Sequence, residues 1–384
     1  MIYKLRFKKQ EYLSRQNKAI QSIKSSGLNA LLMFAPESQY WICGYDTFGF
    51  SMFQCLILNS KGDLNLLTRS PDLRQALYTS TLSEPEIHIW NEIEGINPAE
   101  ELLKLLNELE ISGKIGFEGQ SVGLTDFNGQ LLRNTIPNLV ESSNLIRSLR
   151  RIKSATEIKM HRQAAILSDD ALDAAVNSTS PGAFEGDILA EMQGAVFRGG
   201  GDYAGNEFII GSGKGALLCR YYSGRRNLDP EDQLTLEWSG AFARYHAAMM
   251  RTIIIGKPTD FHKRMHAACL EAIEACEDKI FPNALMGDVF NAHSEVFDKY
   301  GLSHARLQAC GYGMGAVFNP IWVDFPMFYE GNPLKISSGQ VFFLHMILMD
   351  DRTGTAMTLG HSVLVKKNGI ERLSRHNLDL IYVT

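Results

Sequence analysis

Pro181-Gly-Ala-Phe-Glu-Gly186-Asp187-Ile188 returns as Pro282-Asn-Ala-Leu-Met-Gly287-Asp288-Val289, 101 residues further on (282 − 181). Each copy follows one helical pattern and starts another. Ser168 to Val176 precedes the first. Phe261 to Ile280 precedes the second, with Met265, Ala268, Cys269, Ala272, Ile273 and Cys276 on one face. The helices that follow run into glycine turns, Gly199-Gly-Gly201 and Gly301. A turn, a helix start and a flanking helix repeated at one offset predict a single supersecondary unit duplicated within one domain.

The first part of the chain is patterned differently. An amphipathic helix ending near Gly27 leads into the apolar run Ala30-Leu-Leu-Met-Phe34, short enough for a buried strand. Met52 to Leu58 and Leu64 to Thr68 flank Lys61-Gly62-Asp63, which predicts a hairpin. Asn97-Pro98-Ala99-Glu100 reads as a cap, a proline at the first helical position and an acid reaching back, with Leu102, Leu105, Leu106 and Leu109 at helical spacing behind it. Lys114 to Phe117 reads as another strand. Residues 1–150 are predicted as an α/β domain of their own, and 151–384, opening on a long helix from Ala155, as a second domain.

Composition excludes several classes. A hydrophobic fraction of 45% and a charged fraction of 21% are those of a globular protein. A net charge of −5 leaves no broad basic field for nucleic acid; Arg147 to Lys153 is short and reads as a solvated linker face. No apolar run approaches the ~18 residues needed to span a bilayer, and the N-terminus lacks a signal peptide's apolar core. The six cysteines lack the spacing of a zinc site or disulfide framework. A reduced, cytoplasmic enzyme is expected, with no membrane or nucleic-acid partner.

The chemistry is concentrated around Glu237-Trp-Ser-Gly-Ala-Phe-Ala-Arg-Tyr-His-Ala-Ala-Met-Met-Arg-Thr252 and the run Ile253-Ile-Ile-Gly256-Lys257-Pro258. This stretch resembles the metal-binding hairpin of the superfamily of prolidases, methionine aminopeptidases and creatinases, as Arg151-Ile-Lys-Ser-Ala-Thr-Glu157-Ile resembles the opening of that superfamily's catalytic domain. The resemblance covers essentially the whole chain. It implies an α/β N-terminal domain plus an α+β pita-bread catalytic domain with an internal pseudo-two-fold repeat.

Relatives hold two metals with two Asp, one His and two Glu, and a bridging hydroxide attacks the substrate. Here those positions carry Glu237, Ala248, Tyr312 (in Gly311-Tyr-Gly-Met-Gly315), His345 (in Gly339-Gln-Val-Phe-Phe-Leu-His345-Met) and Gly360, followed by His361. Two possible donors make a poor metal site, so no metal or other cofactor is expected. Creatinases work without metal but keep histidines and glutamates that this chain lacks. Ectoine hydrolases look similar at Ser38 to Asp46, at Gly200-Gly-Asp-Tyr203, in the Tyr245-His246 hairpin and at Gly311-Tyr312 followed by Pro320-x-Trp322.

These resemblances imply a metal-independent hydrolase of a C–N bond in a small zwitterion, of the ectoine or creatine kind. Glu237, an acid among apolar strand residues, is the expected base or nucleophile. His246, His345 and His361 are expected to shuttle protons and Tyr312 to stabilise an oxyanion. Arg220 is expected to hold the substrate's carboxylate, with Trp322 walling the pocket. Tyr45 and Asp46, in the aromatic segment ending at Phe50, are expected to close a partner subunit's pocket in a homodimer. Two alternatives stay open: a Xaa-Pro dipeptidase or aminopeptidase with an atypical metal site, and a non-catalytic homologue that binds in the inherited pocket.

Overall fold

The computed structural model describes residues 5–220 and 224–384. The chain divides into two compact units, Met1–Arg150 and Arg151–Thr384.

The N-terminal unit runs α1 (Lys9–Ser25), β1 (Ala30–Met33), α2 (Pro36–Cys43), β2 (Cys55–Asn59), β3 (Leu64–Arg69), α3 (Leu73–Thr79) and β4 (Ile87–Trp90). It continues with α4 (Pro98–Glu108), β5 (Ile115–Phe117), α5 (Asp126–Thr135), β6 (Leu139–Glu141) and α6 (Asn144–Arg150). The strands form one mixed sheet in the order β4-β3-β2-β1-β5-β6. The unbroken apolar run of β1 follows from burial on both faces. Ala30 and Leu32 pack with Leu102, Leu105 and Leu106 of α4, whereas Leu31 and Met33 pack with Ala19 and Ile23 of α1. The β2–β3 hairpin and the Asn97 cap form as the sequence predicts, the cap accepting from the Ala99 amide at 3.0 Å. Arg150 and Lys153 are mostly buried, so the basic stretch they close is not a solvated face along its length.

The second unit contains the duplicated element. Its first copy comprises α7 (Ala155–Ser178), α8 (Glu185–Arg198), β7 (Ile209–Ser212), β8 (Asp232–Phe242) and β9 (Tyr245–Ile255). The second comprises α9 (Asp260–Asp278), α10 (Met286–Lys299), β10 (Gly311–Gly313), β11 (Asp324–Met327), β12 (Val341–Asp350) and β13 (Thr355–Val365), followed by β14 (Ile370–Arg372) and β15 (Ile381–Val383). Equivalent residues do equivalent jobs. Phe184 and Leu285 each precede the second helix of their copy, and each makes a lone antiparallel bridge, to Asn227 and Lys335 respectively. The strands join in the order β11-β10-β12-β13-β9-β8-β7, with β14 on β13 and β15 on β9.

Local chemistry sets this register. Ser154 and Glu157 form a reciprocal capping box at the start of α7, worth about 1 kcal/mol, and Glu157 also accepts from the Tyr245 hydroxyl at 2.8 Å. The two residues joining β8 to β9, Ala243 and Arg244, both have positive φ (49° and 65°), the hairpin turn that matches strand twist. At Gly240, a Cβ would lie 2.1 Å from the Ala164 carbonyl; only glycine lets α7 pack this close.

Helices cover one sheet face, burying Leu234, Leu236 and Trp238 against α7 and α8, and Leu344, Met346 and Leu359 against α9 and α10. Pairing places the remaining residues on the other face. Glu237 is opposite Met250, Met250 opposite Gly360, Gly360 opposite His345, and Tyr312 opposite Phe343. Glu237, Ala248, Gly360, His345 and Tyr312 therefore share the face that the helices leave open.

Candidate active site

Glu237 projects from the middle of β8 and is 9% exposed. Burial raises its carboxyl from the ordinary 4.5 to about 7, while the Tyr312 hydroxyl and the charge of exposed Arg220 pull it back down. Its hydrogen bonding has a fixed direction. The Trp322 indole, which can only donate, gives its Nε1–H to the Tyr312 oxygen at 2.8 Å. The Tyr312 proton is thereby left to Glu237 Oε1, 3.4 Å away. Among the described residues Oε2 has no hydrogen-bond partner, so one oxygen of the carboxylate remains for a ligand or water.

His345 lies beside this chain, its ring 5.6 Å from that of Tyr312 and 5.5 Å from that of Phe343. Burial lowers its pKa to about 4, so the imidazole is neutral near pH 7, and its buried Nδ1 has no partner among the described residues. Cys219, half-buried, packs against the same apolar cluster, and its thiol is held above the usual range by burial and by Glu237.

Several expectations are corrected. His361 does not line this face. Strand alternation turns it to the helical side, where Nε2 lies 2.7 Å from Glu277 Oε1; the neighbouring Gly360 is the residue that faces the site. His246 cannot shuttle protons as it stands, because its Nε2 accepts from the Gly205 amide and its Nδ1 meets the Arg244 carbonyl, both at 2.8 Å. Tyr312 has its one proton committed to Glu237 rather than held ready for an oxyanion. Tyr45 is buried in the core of the N-terminal unit, its hydroxyl donating to Gln54 at 3.2 Å, so it does not present to a ligand. Asp46 is partly buried, its amide bonded to the Thr79 hydroxyl. Trp322 is buried behind Tyr312 rather than exposed on a wall. Arg220 is exposed at the edge of the described segment and acts on Glu237 through its charge.

The sequence reading passed over Phe343, whose position in β12 gave it the look of ordinary core. Its ring lies over Gly360, where a Cβ would sit 2.9 Å from the ring and 2.7 Å from the Leu344 carbonyl. The residues present do not fit a two-metal centre. Ala248 and Gly360 have no donor, Phe343 occupies the space a side chain at 360 would need, and Tyr312 is engaged. Among the described residues no three His, Cys, Asp or Glu side chains are placed to share a metal.

The fold is that of the pita-bread class, and the matched family and relatives make the chain a hydrolase acting on C–N bonds. Residues 159–367 match Metallopeptidase family M24 and residues 15–152 match the Creatinase/Prolidase N-terminal domain; the chain belongs to metallopeptidase family M24. It is 25% identical over 390 residues to the ectoine hydrolase of Halomonas elongata, covering 96% of each chain. It is 21% identical to the Xaa-Pro dipeptidase of Pyrococcus furiosus over 66% of this chain and 74% of that one. Among solved structures, a prolidase from Thermococcus sibiricus superposes with a TM-score of 0.86 at 20% identity, covering 97% of this chain and 99% of the other. An X-Pro aminopeptidase from Thermotoga maritima gives 0.84 at 19% identity, covering 96% and 99%.

Proposed function

We propose that the protein hydrolyses a C–N bond in a small zwitterion without a metal, with Glu237 as general base or nucleophile. The observation that carries this reading is a buried carboxylate, pushed to about 7, with one oxygen bonded and the other unspent. A base poised near the working pH is the form that proton abstraction needs. The substrate's carboxylate would rest on Arg220, and His345, neutral and unpartnered at Nδ1, would hydrogen-bond the reacting end. Full-length similarity to an ectoine hydrolase supports a compact, charged substrate.

Similarity to Xaa-Pro dipeptidases favours a second reading, peptide hydrolysis at an unorthodox metal site; the donor set counts against it. Screening ectoine, hydroxyectoine, creatine, N-acylated diamino acids and Xaa-Pro dipeptides by mass spectrometry, with metal content measured alongside, decides between them. Turnover of dipeptides only after metal addition would favour the second reading. Failure of every compound to turn over, with some of them binding, would leave a non-catalytic pocket.

We also propose a homodimer. Phe48, 83% exposed in the segment before β2, is suited to an aromatic contact; light scattering reporting an active monomer would overturn this. The six free thiols support a reducing, cytoplasmic setting, and among the described residues no helix is long and apolar enough to cross a membrane.

A further inference from the structure

The loop between α8 and β7 is built against the residues that hold Glu237. Asp202 ties it to the β8–β9 hairpin, donating its amide to Ala241 and accepting the Arg244 amide at 3.1 Å. The Gly205 amide donates to His246 Nε2 at 2.8 Å. Gly205 itself lies so close to the 321–322 backbone that a Cβ would sit 2.8 Å from the Ile321 carbonyl and 2.9 Å from the Trp322 nitrogen. Asn206 completes the cradle. Its Oδ1 accepts the Trp322 amide at 3.2 Å, and its Nδ2 donates to the Glu207 carbonyl at 2.9 Å. Those two partners, one donor and one acceptor, fix which way the amide is turned.

We propose that Asn206 is a positioning residue: it holds Trp322 so that the indole donates to Tyr312, which obliges Tyr312 to give its proton to Glu237. The inference rests on the proposed role of Glu237 and adds the device that sets its protonation. It also gives His246 a task, as the anchor of Gly205 rather than as a proton carrier. The sequence places Asn206 about thirty residues before Glu237 and more than a hundred before Trp322, with nothing in its own pattern to mark it.

Among the described residues Arg220 acts on Glu237 through its charge and Tyr312 bonds it, Glu237 in turn raises the nearby Cys219 thiol, and the neutral His345 lies beyond Tyr312. The strand partners of Glu237, Ile209 and Met250, are apolar. Loss of the Tyr312 bond should therefore move the Glu237 titration upward by about one pH unit, the size of one hydrogen bond to a charged acceptor.

The test needs no substrate. Glutamate is labelled with ¹³C at the side-chain carboxyl, and the Glu237 signal is assigned by its loss in Glu237→Gln and followed by NMR against pH. Asn206→Leu, Trp322→Phe and Tyr312→Phe should each raise the midpoint by a similar amount. Adding Asn206→Leu to Tyr312→Phe should raise it no further, because the path through Tyr312 is already cut. Asn206→Ala takes the place of leucine if the larger side chain prevents folding, and thermal unfolding checks each variant. A folded Asn206 variant with an unmoved Glu237 midpoint overturns the proposal, as does a shift that adds in full to that of Tyr312→Phe. If the titrations behave as expected and no compound is hydrolysed, the positioning role stands and the assigned activity falls.

Discussion

Each unit of this protein holds a buried glutamate whose carboxyl is raised to about 7, and the two look alike until their oxygens are counted. Glu118 in the N-terminal unit and Glu237 in the second unit are both raised by burial to about 7. Glu118 spends both oxygens. Oε1 accepts from the Ser38 hydroxyl at 2.5 Å and Oε2 from the Ala35 amide at 2.8 Å, at the start of α2, with Arg150 adding a favourable charge. Glu237 has one long bond and an oxygen left over. A raised pKa marks burial in both; only the unspent oxygen separates a base from a cap.

The largest effect that could break this contrast is on turnover. Glu237→Gln should lower kcat by roughly 10²–10⁴-fold, the usual loss of a general base, with binding largely kept. Glu118→Gln should leave kcat within a fewfold while costing about 1–3 kcal/mol of stability, because the amide cannot accept at both positions. Steady-state kinetics and urea unfolding measure both; a Glu118 variant as inactive as the Glu237 variant would dissolve the distinction.

The pH dependence of stability should be shared by the two residues. Each is protonated in the folded chain at a pH where the unfolded chain has already released its proton. The share of stability these two groups contribute should therefore be greatest below about 4.5 and fall as pH rises through about 7, by about 3 kcal/mol per group once fully ionised. The buried histidines, held neutral with pKa values of about 3 to 4, act in the opposite sense as pH falls below 6.5. Unfolding at pH 5 and pH 8 should show each Gln substitution flattening its share of this slope. On the activity side, kcat/KM should climb across the same interval as Glu237 ionises.

A smaller effect is expected at His361. His361→Ala should cost about 1–3 kcal/mol by stripping a partner from buried Glu277, with kcat nearly unchanged. A fall in kcat of more than tenfold, in protein that remains folded, would return this histidine to the site. The smallest effect should be that of chelators, which should leave activity as it was; elemental analysis finding two equivalents of zinc, manganese or cobalt per chain would end the metal-free reading.

Much of the architecture was legible because periodicity and repetition are local. The 101-residue offset, the Asn97 cap and the apolar face of α9 each declare themselves within a few turns of chain. The site was harder to read, since its geometry depends on strand parity and on segments far apart in sequence. One residue of slippage separates Gly360, which faces the site, from His361, which faces the helices. His246 advertised chemistry and is tied up by backbone. Asn206 and Phe343 advertised nothing, for an amide in a loop and a ring in a strand gain their meaning only from what lies across from them.

Phe343 also bears on whether a two-metal site could be built on this face. Restoring Asp at 248 or Glu at 360 alone would bury a charge with no cation to receive it, and the residue at 360 would collide with the ring before any metal arrived. A five-ligand site of that kind would require Phe343, Ala248, Tyr312, His345 and Gly360 to change together. The ring over Gly360 thus works as a lock on this face: with it in place, no single substitution can begin to assemble a metal centre there.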